Sequence, residues 1–431
     1  MLRLYSLLLP FMIPVVFAHL IVRGFRNPDY FKRWPERFGF IPAQDEGNVI
    51  WIHAVSVGEV RAAVPLIDAL SDRYPDNRIL VTTMTPTGSQ EVRRQFGQRV
   101  LHYYVPYDLR RSVRRFLERT RPCLALTLET ELWPNIFHQC SQRGIPVVVA
   151  NARMSESSMR GYLRFQKLTR STLNQVALIA AQSRTDARRL RRMGADDDRV
   201  EITGSIKFEI KLPPSMLEAA ESLRRSLAGQ RPVWIAASTH EGEEEQVLAA
   251  FRSLQKKHPD LLLLLVPRHP ERFGPVLRLS RREGFQAVLR SELAGTLPGE
   301  TEVVVADSMG ELLMLYAASD VAFVGGSLVP IGGHNLLEAC AVGLPVVFGK
   351  YMFNFEEISQ LTLDRQAGIQ VFSIDELAAQ VGRYLEDANL RFETGEHGQK
   401  LVEQNRGALE KTTRLVTGLI GDGCEVPSTR S

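Results

Sequence analysis

A glutamate, Glu59, follows the stretch AVSVG (54–58), where an apolar run gives way to a helical pattern. A carboxylate in the first turn of a helix is stabilised by the helix dipole, by roughly 0.3–1 kcal/mol. A strand-to-helix corner of an α/β protein also opens on the cleft where ligands bind, and a carboxylate there can accept a proton. The residues around Glu59 fit both interpretations, so the layout of the whole chain must decide between them.

Two more carboxylates and a lysine follow apolar runs in the first half of the chain. Glu129 and Glu131 lie in LTLETELWPN (126–135), and Lys207 lies in GSIKFE (204–209). A buried carboxylate without a partner costs free energy, so a cation is expected near Glu129. Lys207 is a candidate, either in a structural ion pair or as part of a reaction site, and spacing alone leaves both open.

A glycine-rich segment in the second half, GGSLVPIGGHNLLEA (325–339), leads from a strand into a helix expected to begin near Asn335. Glycines let the backbone approach a phosphate closely, and free N–H groups at a helix start bind anions. Glu338 falls in the first turn, where a carboxylate can accept hydrogen bonds from ribose hydroxyls. Glycine pairs alone also serve ordinary tight turns, but the combination favours nucleotide binding.

Two other segments follow strands of the second half. PRHPER (267–272) comes after the most apolar run of the chain, which brings Arg268 and His269 to a strand end suited to a phosphate. The alternative is a rigid loop that carries surface charges. DSMGE (307–311) follows another strand, and its backbone could line a base or ribose pocket.

The sequence predicts no catalytic metal. A D-x-D occurs within Asp196–Asp198, but RRMGADDDRV reads as a solvated turn between a helix and a strand. Neither a H-E-x-x-H motif nor a C-x-x-C pair is present.

The elements that carry these residues alternate between short apolar runs and amphipathic stretches, which predicts βαβ units and a parallel sheet. The pattern stops at Pro213 and Pro214 and then restarts, so the 431 residues are predicted to form two doubly wound α/β domains that face one another across a cleft. A last helical stretch, 390–417, is long enough to pack back on the first domain.

Residues 4–22, LYSLLLPFMIPVVFAHLIV, contain no Asp, Glu, Lys or Arg and are followed by a basic cluster. This pattern predicts a membrane anchor with the rest of the chain on the cytoplasmic side, although Pro10 and Pro14 leave an embedded, non-spanning segment possible. Residues 1–205 hold 30 Lys and Arg against 19 Asp and Glu, whereas 206–431 hold 23 against 30. The first half therefore suits an anionic partner, but its basic residues lack interleaved aromatics, which disfavours nucleic acid.

The chain resembles the 3-deoxy-D-manno-octulosonic acid (Kdo) transferases of Gram-negative lipopolysaccharide assembly. The resemblance runs almost from end to end and is carried by HAVSVGE, TTMTPTG, ETELWPN, NARMS, GSIKF, STHEGEE, PRHPER, GGHNLLEA and FNFEE. It implies a glycosyltransferase-B fold, two Rossmann-like domains with the active site between them. The corresponding division is an anchor at 1–23, an acceptor-binding domain at 24–210 and a CMP-Kdo-binding domain at 211–431.

The resemblance also implies roles for individual residues. Glu59 would be the proton acceptor, and Glu129 and Lys207 would stabilise the transition state. The residues expected to hold CMP are Arg268, His269, Met309, Gly310, Glu311, Asn335, Leu336, Leu337 and Glu338.

The function implied is inverting transfer of Kdo from CMP-Kdo to a lipid A precursor, lipid IVA, at the cytoplasmic face of the inner membrane, with release of CMP and no further cofactor. One alternative is a transferase or epimerase of the same fold that uses a uridine nucleotide. Another is a membrane-anchored sugar-nucleotide binding or scaffold protein without turnover.

Overall fold

The computed structural model describes residues 1–26, 28–44, 48–293, 295 and 297–420. Contacts divide the chain into two units, Met1–Glu209 together with the residues from Arg406 onward, and Ile210–Asn405. Each unit is built on a seven-stranded sheet whose paired strands are all parallel.

The first unit has the strand order β3-β2-β1-β4-β5-β6-β7. Its strands are β1 Val49–His53, β2 Arg78–Thr83, β3 Leu101–Tyr104, β4 Pro122–Leu128, β5 Val147–Ala152, β6 Leu178–Ala181 and β7 Val200–Ile202. Its helices up to β7 are α1 Leu2–Leu8, α2 Ile13–Arg26, α3 Val57–Arg73, α4 Pro86–Phe96, α5 Arg110–Thr120, α6 Pro134–Ser141, α7 Glu156–Leu163, α8 Gln166–Leu173 and α9 Arg184–Arg192. Short 3-10 turns occur at Leu9–Met12, Pro28–Phe31, Trp34–Phe38, Asp197–Arg199 and Ile206–Phe208.

The second unit has the strand order β10-β11-β9-β8-β12-β13-β14. Its strands are β8 Val233–Thr239, β9 Leu262–Pro267, β10 Ala287–Leu289, β11 Val303–Val305, β12 Val321–Val324, β13 Val346–Phe348 and β14 Gly368–Gln370. Its helices are α10 Pro214–Leu227, α11 Glu244–Gln255, α12 Phe273–Arg282, α13 Leu312–Ala317, α14 Leu337–Ala341, α15 Glu356–Asp364, α16 Ile374–Glu386 and α17 Ala388–Gln404, with 3-10 turns at Pro270–Arg272 and Arg290–Glu292.

The central strands are buried along their whole length and mostly apolar because helices cover both faces of each sheet. In β1, Val49 and Trp51 belong to the core on one face of the first sheet, and Ile50 and Ile52 belong to the core on the other. Every residue of β1, β8 and β9 is buried. Continuous apolar runs of this kind are typical of parallel sheets.

The C-terminal helical stretch differs from the sequence prediction, which treated 390–417 as one helix. The structure has α17 and then α18, Ala408–Thr417. Gly407, in the left-handed region with φ 92°, separates them, and the Glu209 carboxylate accepts hydrogen bonds from the backbone N–H groups of Gly407 (2.8 Å) and Leu409 (3.1 Å). Because α18 contacts α3, residues 406–420 lie in the first unit, which agrees with the expectation that the last helical stretch packs back on the first domain. The second unit therefore ends at Asn405 rather than at residue 431.

Candidate active site

The strand order creates one crevice in each sheet where ligands of α/β proteins bind. Successive strands run outward from β1 through β2 to β3, and the chain then returns to place β4 on the other side of β1. The second sheet repeats this arrangement with β8 between β9 and β12. Loops that leave the carboxyl ends of these neighbouring strands flank each crevice.

Glu59 lies at one of these positions, where the chain leaves β1 and enters α3. Ser56 is the N-cap of α3, and its hydroxyl accepts a hydrogen bond from the backbone N–H of Glu59 (3.4 Å). In return, the Glu59 carboxylate accepts from the Ser56 hydroxyl (3.0 Å) and from the backbone N–H of Val55 (2.8 Å). These reciprocal hydrogen bonds resemble a capping box, with the N–H of Val55 in place of that of the N-cap residue, and they hold the carboxylate in place. The helix-start interpretation of Glu59 therefore has a structural basis.

The surroundings of Glu59 also suit a base. Burial raises the pKa of Glu59 to about 7, and the negative charges of Glu129 and Glu131 push that pKa in the same direction, against the hydrogen bonds from Val55 and Ser56. A carboxyl group with a pKa near neutral pH is still partly ionised there, and its carboxylate form takes up a proton more readily than that of an ordinary glutamate. The capping role and a base role are therefore compatible in this residue.

Glu129 and Lys207 form an ion pair. The distance from Lys207 Nζ to Glu129 Oε1 is 2.8 Å, and the two side chains are 25% and 24% exposed. Glu129 directly follows β4 and has φ 57°, a left-handed conformation that non-glycine residues seldom adopt. Strain of this kind persists only where the surroundings fix it, and here it presents the carboxylate to Lys207.

Asn151 positions the segment that carries Lys207. It is the last residue but one of β5 and has φ 53°, and its buried side chain accepts a hydrogen bond through Oδ1 from the backbone N–H of Ile206 (3.1 Å). Lys207 is the next residue of the same 3-10 turn. Asn151 is the first residue of the NARMS motif, and in the structure it links that motif to GSIKF.

In the second unit, Glu243 organises the glycine-rich loop, and sequence reasoning missed it. Its side chain is fully buried and accepts hydrogen bonds from the backbone N–H groups of Gly326 (2.7 Å), Ser327 (3.1 Å) and Leu328 (2.9 Å). A Cβ on Gly325 would lie 2.7 Å from Glu243 Oε2, so only glycine fits there. The motif STHEGEE, which contains Glu243, was the available signal.

Three histidines meet beside this loop, and two of them were also missed. The Nε2 atoms of His240 and His334 are 2.8 Å apart, and their rings are stacked with centroids 5.1 Å apart. The His269 ring contacts His240 edge to face at 5.4 Å. Burial lowers the pKa of His240 to about 4, as do the charges of His269, Arg268 and Arg272. His240 is therefore neutral at neutral pH, and in its contact with His334 one ring nitrogen donates a hydrogen bond to the other.

The structure brings Arg268 and His269 into this neighbourhood. The backbone N–H of Arg268 donates to the carbonyl of Thr239 (3.0 Å), which fixes the start of PRHPER against the end of β8. His269 is exposed. Its ring contact with His240 connects it through His334 to the Asn335 segment.

The predicted nucleotide contacts at Met309, Gly310 and Glu311 lie after β11. Met309 is 46% exposed, and Gly310 has φ 90°. The Glu311 carboxylate already pairs with Arg290 and accepts a hydrogen bond from Ser308. A ligand at this loop would therefore meet mainly backbone groups and the Met309 side chain.

The Asn335–Glu338 segment begins a short helix, α14, which starts at Leu337. Leu336 and Leu337 are fully buried in the core, so only their backbone can face a ligand. The Asn335 side chain accepts from the backbone N–H of Leu337 (3.2 Å) and donates to Glu338 Oε1 (3.5 Å). Asn335 and Glu338 are the two side chains of this segment that are partly exposed.

The aspartate run, Asp196–Asp198, lies at the start of a 3-10 turn that leads into β7, an edge strand of the first sheet. Asp197 is 88% exposed and pairs with Arg191 (2.8 Å), and Asp196 pairs with Arg199 (3.6 Å). The arrangement matches a solvated loop.

Comparison with known proteins adds sequence relatives for both units. Residues 32–210 match the family described as 3-deoxy-D-manno-octulosonic-acid transferase (kdotransferase), and residues 231–401 match glycosyl transferases group 1. The chain is 43% identical over 421 residues to the 3-deoxy-D-manno-octulosonic acid transferase of Haemophilus influenzae, covering 96% of this chain and 97% of that protein. It is 35% identical over 368 residues to the enzyme of the same name from Bordetella pertussis, covering 83% and 85%.

Solved structures support the architecture. A glycosyltransferase from Rickettsia africae superimposes with a TM-score of 0.54 at 14% identity and covers 88% of this chain and 100% of that chain. A UDP-GlcNAc 2-epimerase from Neisseria meningitidis gives 0.54 at 13% identity, with 86% and 99% covered. At these identities the likeness concerns the fold alone, and it agrees with the predicted glycosyltransferase-B arrangement of two parallel-sheet α/β units.

Proposed function

The chain belongs to the Kdo transferase family, and on that premise we propose that it transfers Kdo from CMP-Kdo to lipid IVA, a lipid A precursor, with inversion at the anomeric carbon. The observation that carries this proposal is the group formed by Glu59, Glu129 and Lys207, in which a carboxylate of raised pKa lies within electrostatic reach of an ion pair.

Glu59 is the proposed general base. A hydroxyl of an acceptor glucosamine loses its proton to the Glu59 carboxylate while its oxygen forms a bond to the anomeric carbon of Kdo. The bond between that carbon and the phosphate oxygen of CMP breaks, and its electron pair leaves with the phosphate. One displacement of this kind inverts the anomeric configuration. The raised pKa of Glu59 supports the assignment because a base with a pKa near the working pH transfers protons efficiently.

The Lys207–Glu129 pair is proposed to stabilise charge in the transition state. Lys207 presents an ammonium group to a region that otherwise holds three carboxylates, Glu59, Glu129 and Glu131. Donors and charges that are fixed before the reaction stabilise developing charge without reorganising. Glu129 holds the ammonium group in place.

The second unit is proposed to bind the donor. Arg268 and His269 offer a guanidinium and an imidazole to the CMP phosphate, and Arg's fork suits paired phosphate oxygens. Met309 to Glu311 are proposed to contact the nucleotide through their backbone, and Asn335 and Glu338 through their side chains. A phosphate leaves without a metal ion if fixed cations and N–H groups receive its charge, so no catalytic metal is proposed.

The proposed location is the cytoplasmic leaflet of the inner membrane. The structure has one helical segment in the described part of the chain, Leu2–Phe25, that is long and apolar enough to cross a bilayer. The excess of Lys and Arg in residues 1–205 suits a phosphorylated lipid and an anionic leaflet, at about 1 kcal/mol for each basic residue near the surface.

The test is an assay of purified protein with CMP-Kdo and lipid IVA, with products resolved by mass. The proposal predicts acceptor heavier by one or more Kdo residues, together with CMP, and competition by CMP but not by UDP. Competition by UDP would favour the uridine-nucleotide alternative. Donor binding without any product from a verified acceptor would favour the binding or scaffold alternative.

A further inference from the structure

The apolar segment Leu2–Phe25 has 24 residues, enough to cross the roughly 30 Å hydrocarbon layer of a bilayer as a helix. Length alone does not distinguish a helix that crosses the membrane from one that lies in a single leaflet. The two arrangements differ in where the N-terminal end of the segment must be. A crossing helix places its two ends on opposite sides of the membrane.

The N-terminal end of the segment is bonded to the first unit. The Tyr5 hydroxyl donates to Asp108 Oδ2 (3.0 Å), and the Ser6 hydroxyl donates to Asn135 Oδ1 (2.6 Å). Asp108 is 3% exposed and also accepts from the backbone N–H groups of Asn135 (2.9 Å) and Ile136 (2.8 Å) at the start of α6. The contact of Tyr5 is therefore with an interior residue that caps a helix of the folded unit.

The C-terminal half of the segment packs on the same unit. The Phe17 ring lies 4.7 Å from the ring of Trp34 and 5.9 Å from that of Phe38, and Leu20 is buried. Gly24 lies against Phe31 so closely that a Cβ would come within 2.3 Å of its ring. Phe17, Leu20 and Gly24 follow the spacing of one helix face, so that face of α2 is covered by protein.

The opposite face is exposed and apolar. Its side chains are at least half exposed and include Leu4, Leu7, Phe11, Val15, Val22 and Phe25. Soluble proteins rarely leave so long an apolar strip to water. Exposed basic residues flank this face at Arg3, Arg23 and Lys32. Two more, Arg110 and Arg111, follow Asp108 closely in the chain, and no acidic residue precedes Asp29. Anionic lipids match such a surface, because their acyl chains contact the apolar strip and their headgroups contact the basic residues at its border.

We propose that residues 2–25 lie along the surface of the first unit in one leaflet of the membrane and do not cross it. The Tyr5–Asp108 and Ser6–Asn135 hydrogen bonds and the Phe17–Trp34 contact keep both ends of the segment on the side that holds the first unit. The N-terminus then lies on the same side of the bilayer as the active-site residues. This inference deepens the proposed membrane location and does not depend on the identity of the sugar transferred.

The experiment uses the full chain with a short protease-cleavable epitope before Met1, expressed in cells and tested in spheroplasts and in inverted inner-membrane vesicles. The same epitope after Ser431 is the control for sidedness. We expect the N-terminal epitope to be protected in spheroplasts and cleaved in inverted vesicles, as the C-terminal one is. Cleavage of the N-terminal epitope alone in spheroplasts overturns the proposal. Protein that stays in the soluble fraction contradicts membrane association itself.

A depth measurement on the native N-terminus provides a second test. Phe11→Trp and Phe25→Trp each place a tryptophan on the exposed face, and quenching by brominated lipids reports its depth after the signal of the unsubstituted chain is subtracted. We expect equal depths for the two positions. A crossing helix separates them by about 21 Å along the membrane normal, and unequal depths of that size overturn the proposal.

Discussion

The ammonium group of Lys207 lies 2.8 Å from Glu129 Oε1, although the two residues are far apart in the sequence and on different elements. Glu129 reaches this position with a left-handed backbone after β4, and Lys207 reaches it on a 3-10 turn tied to Asn151. An ion pair that is about a quarter exposed contributes little net stability. The cost of the strained backbone is easier to understand if the pair acts on a substrate.

The first prediction separates a catalytic pair from a structural one. Lys207→Met is expected to lower kcat by about 100-fold or more, the scale of removing one fixed charge-stabilising group, with little change in thermal stability. Lys400→Met, which removes the exposed Lys400–Glu396 pair (3.0 Å), is the matched control and should keep full activity. Recovery of activity in the charge-exchanged double variant Glu129→Lys, Lys207→Glu would contradict a directional role and indicate a structural pair.

The second prediction concerns pH. Because Glu59 must be deprotonated to act as a base, kcat/KM should rise with pH and level off above a midpoint near 7. The negative charge of Glu131 contributes to the raised pKa of Glu59, so Glu131→Gln should move the midpoint to lower pH. The measurement is a pH–rate profile of both proteins. A midpoint that stays in place or moves upward in the variant would show that Glu131 does not act on the titrating group.

The third prediction concerns the histidine pair. His240→Phe keeps an aromatic ring but removes the hydrogen bond to His334, whose ring packs against Gly326. We expect the KM for CMP-Kdo to rise about fivefold, with a smaller effect on kcat, because one hydrogen bond that orients a loop is worth about 1 kcal/mol. His397→Phe, at a partly exposed histidine in α17 outside the proposed binding site, is the control. An unchanged KM for the donor would remove the pair from the binding site.

The fourth prediction concerns metal ions. Transfer from CMP-Kdo supplied directly should be the same with and without EDTA, and Asp197→Asn should have no effect because this exposed residue pairs with Arg191 in a loop. Loss of activity on chelation, with recovery on adding Mg²⁺ or Mn²⁺, would contradict the proposed metal-free departure of CMP.

The central strands could be predicted from the sequence, whereas the outermost strands could not. Ten apolar runs of the sequence, for example VIWIHAV, LLLLLVP and LPVVFG, predict strands, and all ten correspond to inner strands of the two sheets. The four strands that no such run predicts, β3, β7, β10 and β14, are the sheet edges. Edge strands are short and covered on fewer sides, so they lack the continuous apolar run that identifies a buried strand. The residues of β14, for example, are all only partly buried.

Some residues of the candidate site could likewise be predicted from the sequence, and others could not. Glu59, Glu129 and Lys207 follow apolar runs, so the expectation that they lie at strand ends was accessible from the pattern. Glu243 and His240 were not, because their partners, Gly326 and His334, lie in a loop more than 80 residues later in the chain. The break between α17 and α18 was missed for the same reason, since the carboxylate that accepts from Gly407 belongs to Glu209.

The most direct test of the account is the rate of Kdo transfer to lipid IVA by the wild type and by Glu59→Gln, measured at pH 8 in a single turnover with donor saturating. Glutamine retains an oxygen that can accept from Val55 or Ser56, so the cap of α3 is partly preserved, but it cannot take a proton. The account predicts product from the wild type and a rate at least about 100-fold lower in the variant. A variant that transfers Kdo at the wild-type rate would contradict the base role and leave Glu59 as a helix cap alone.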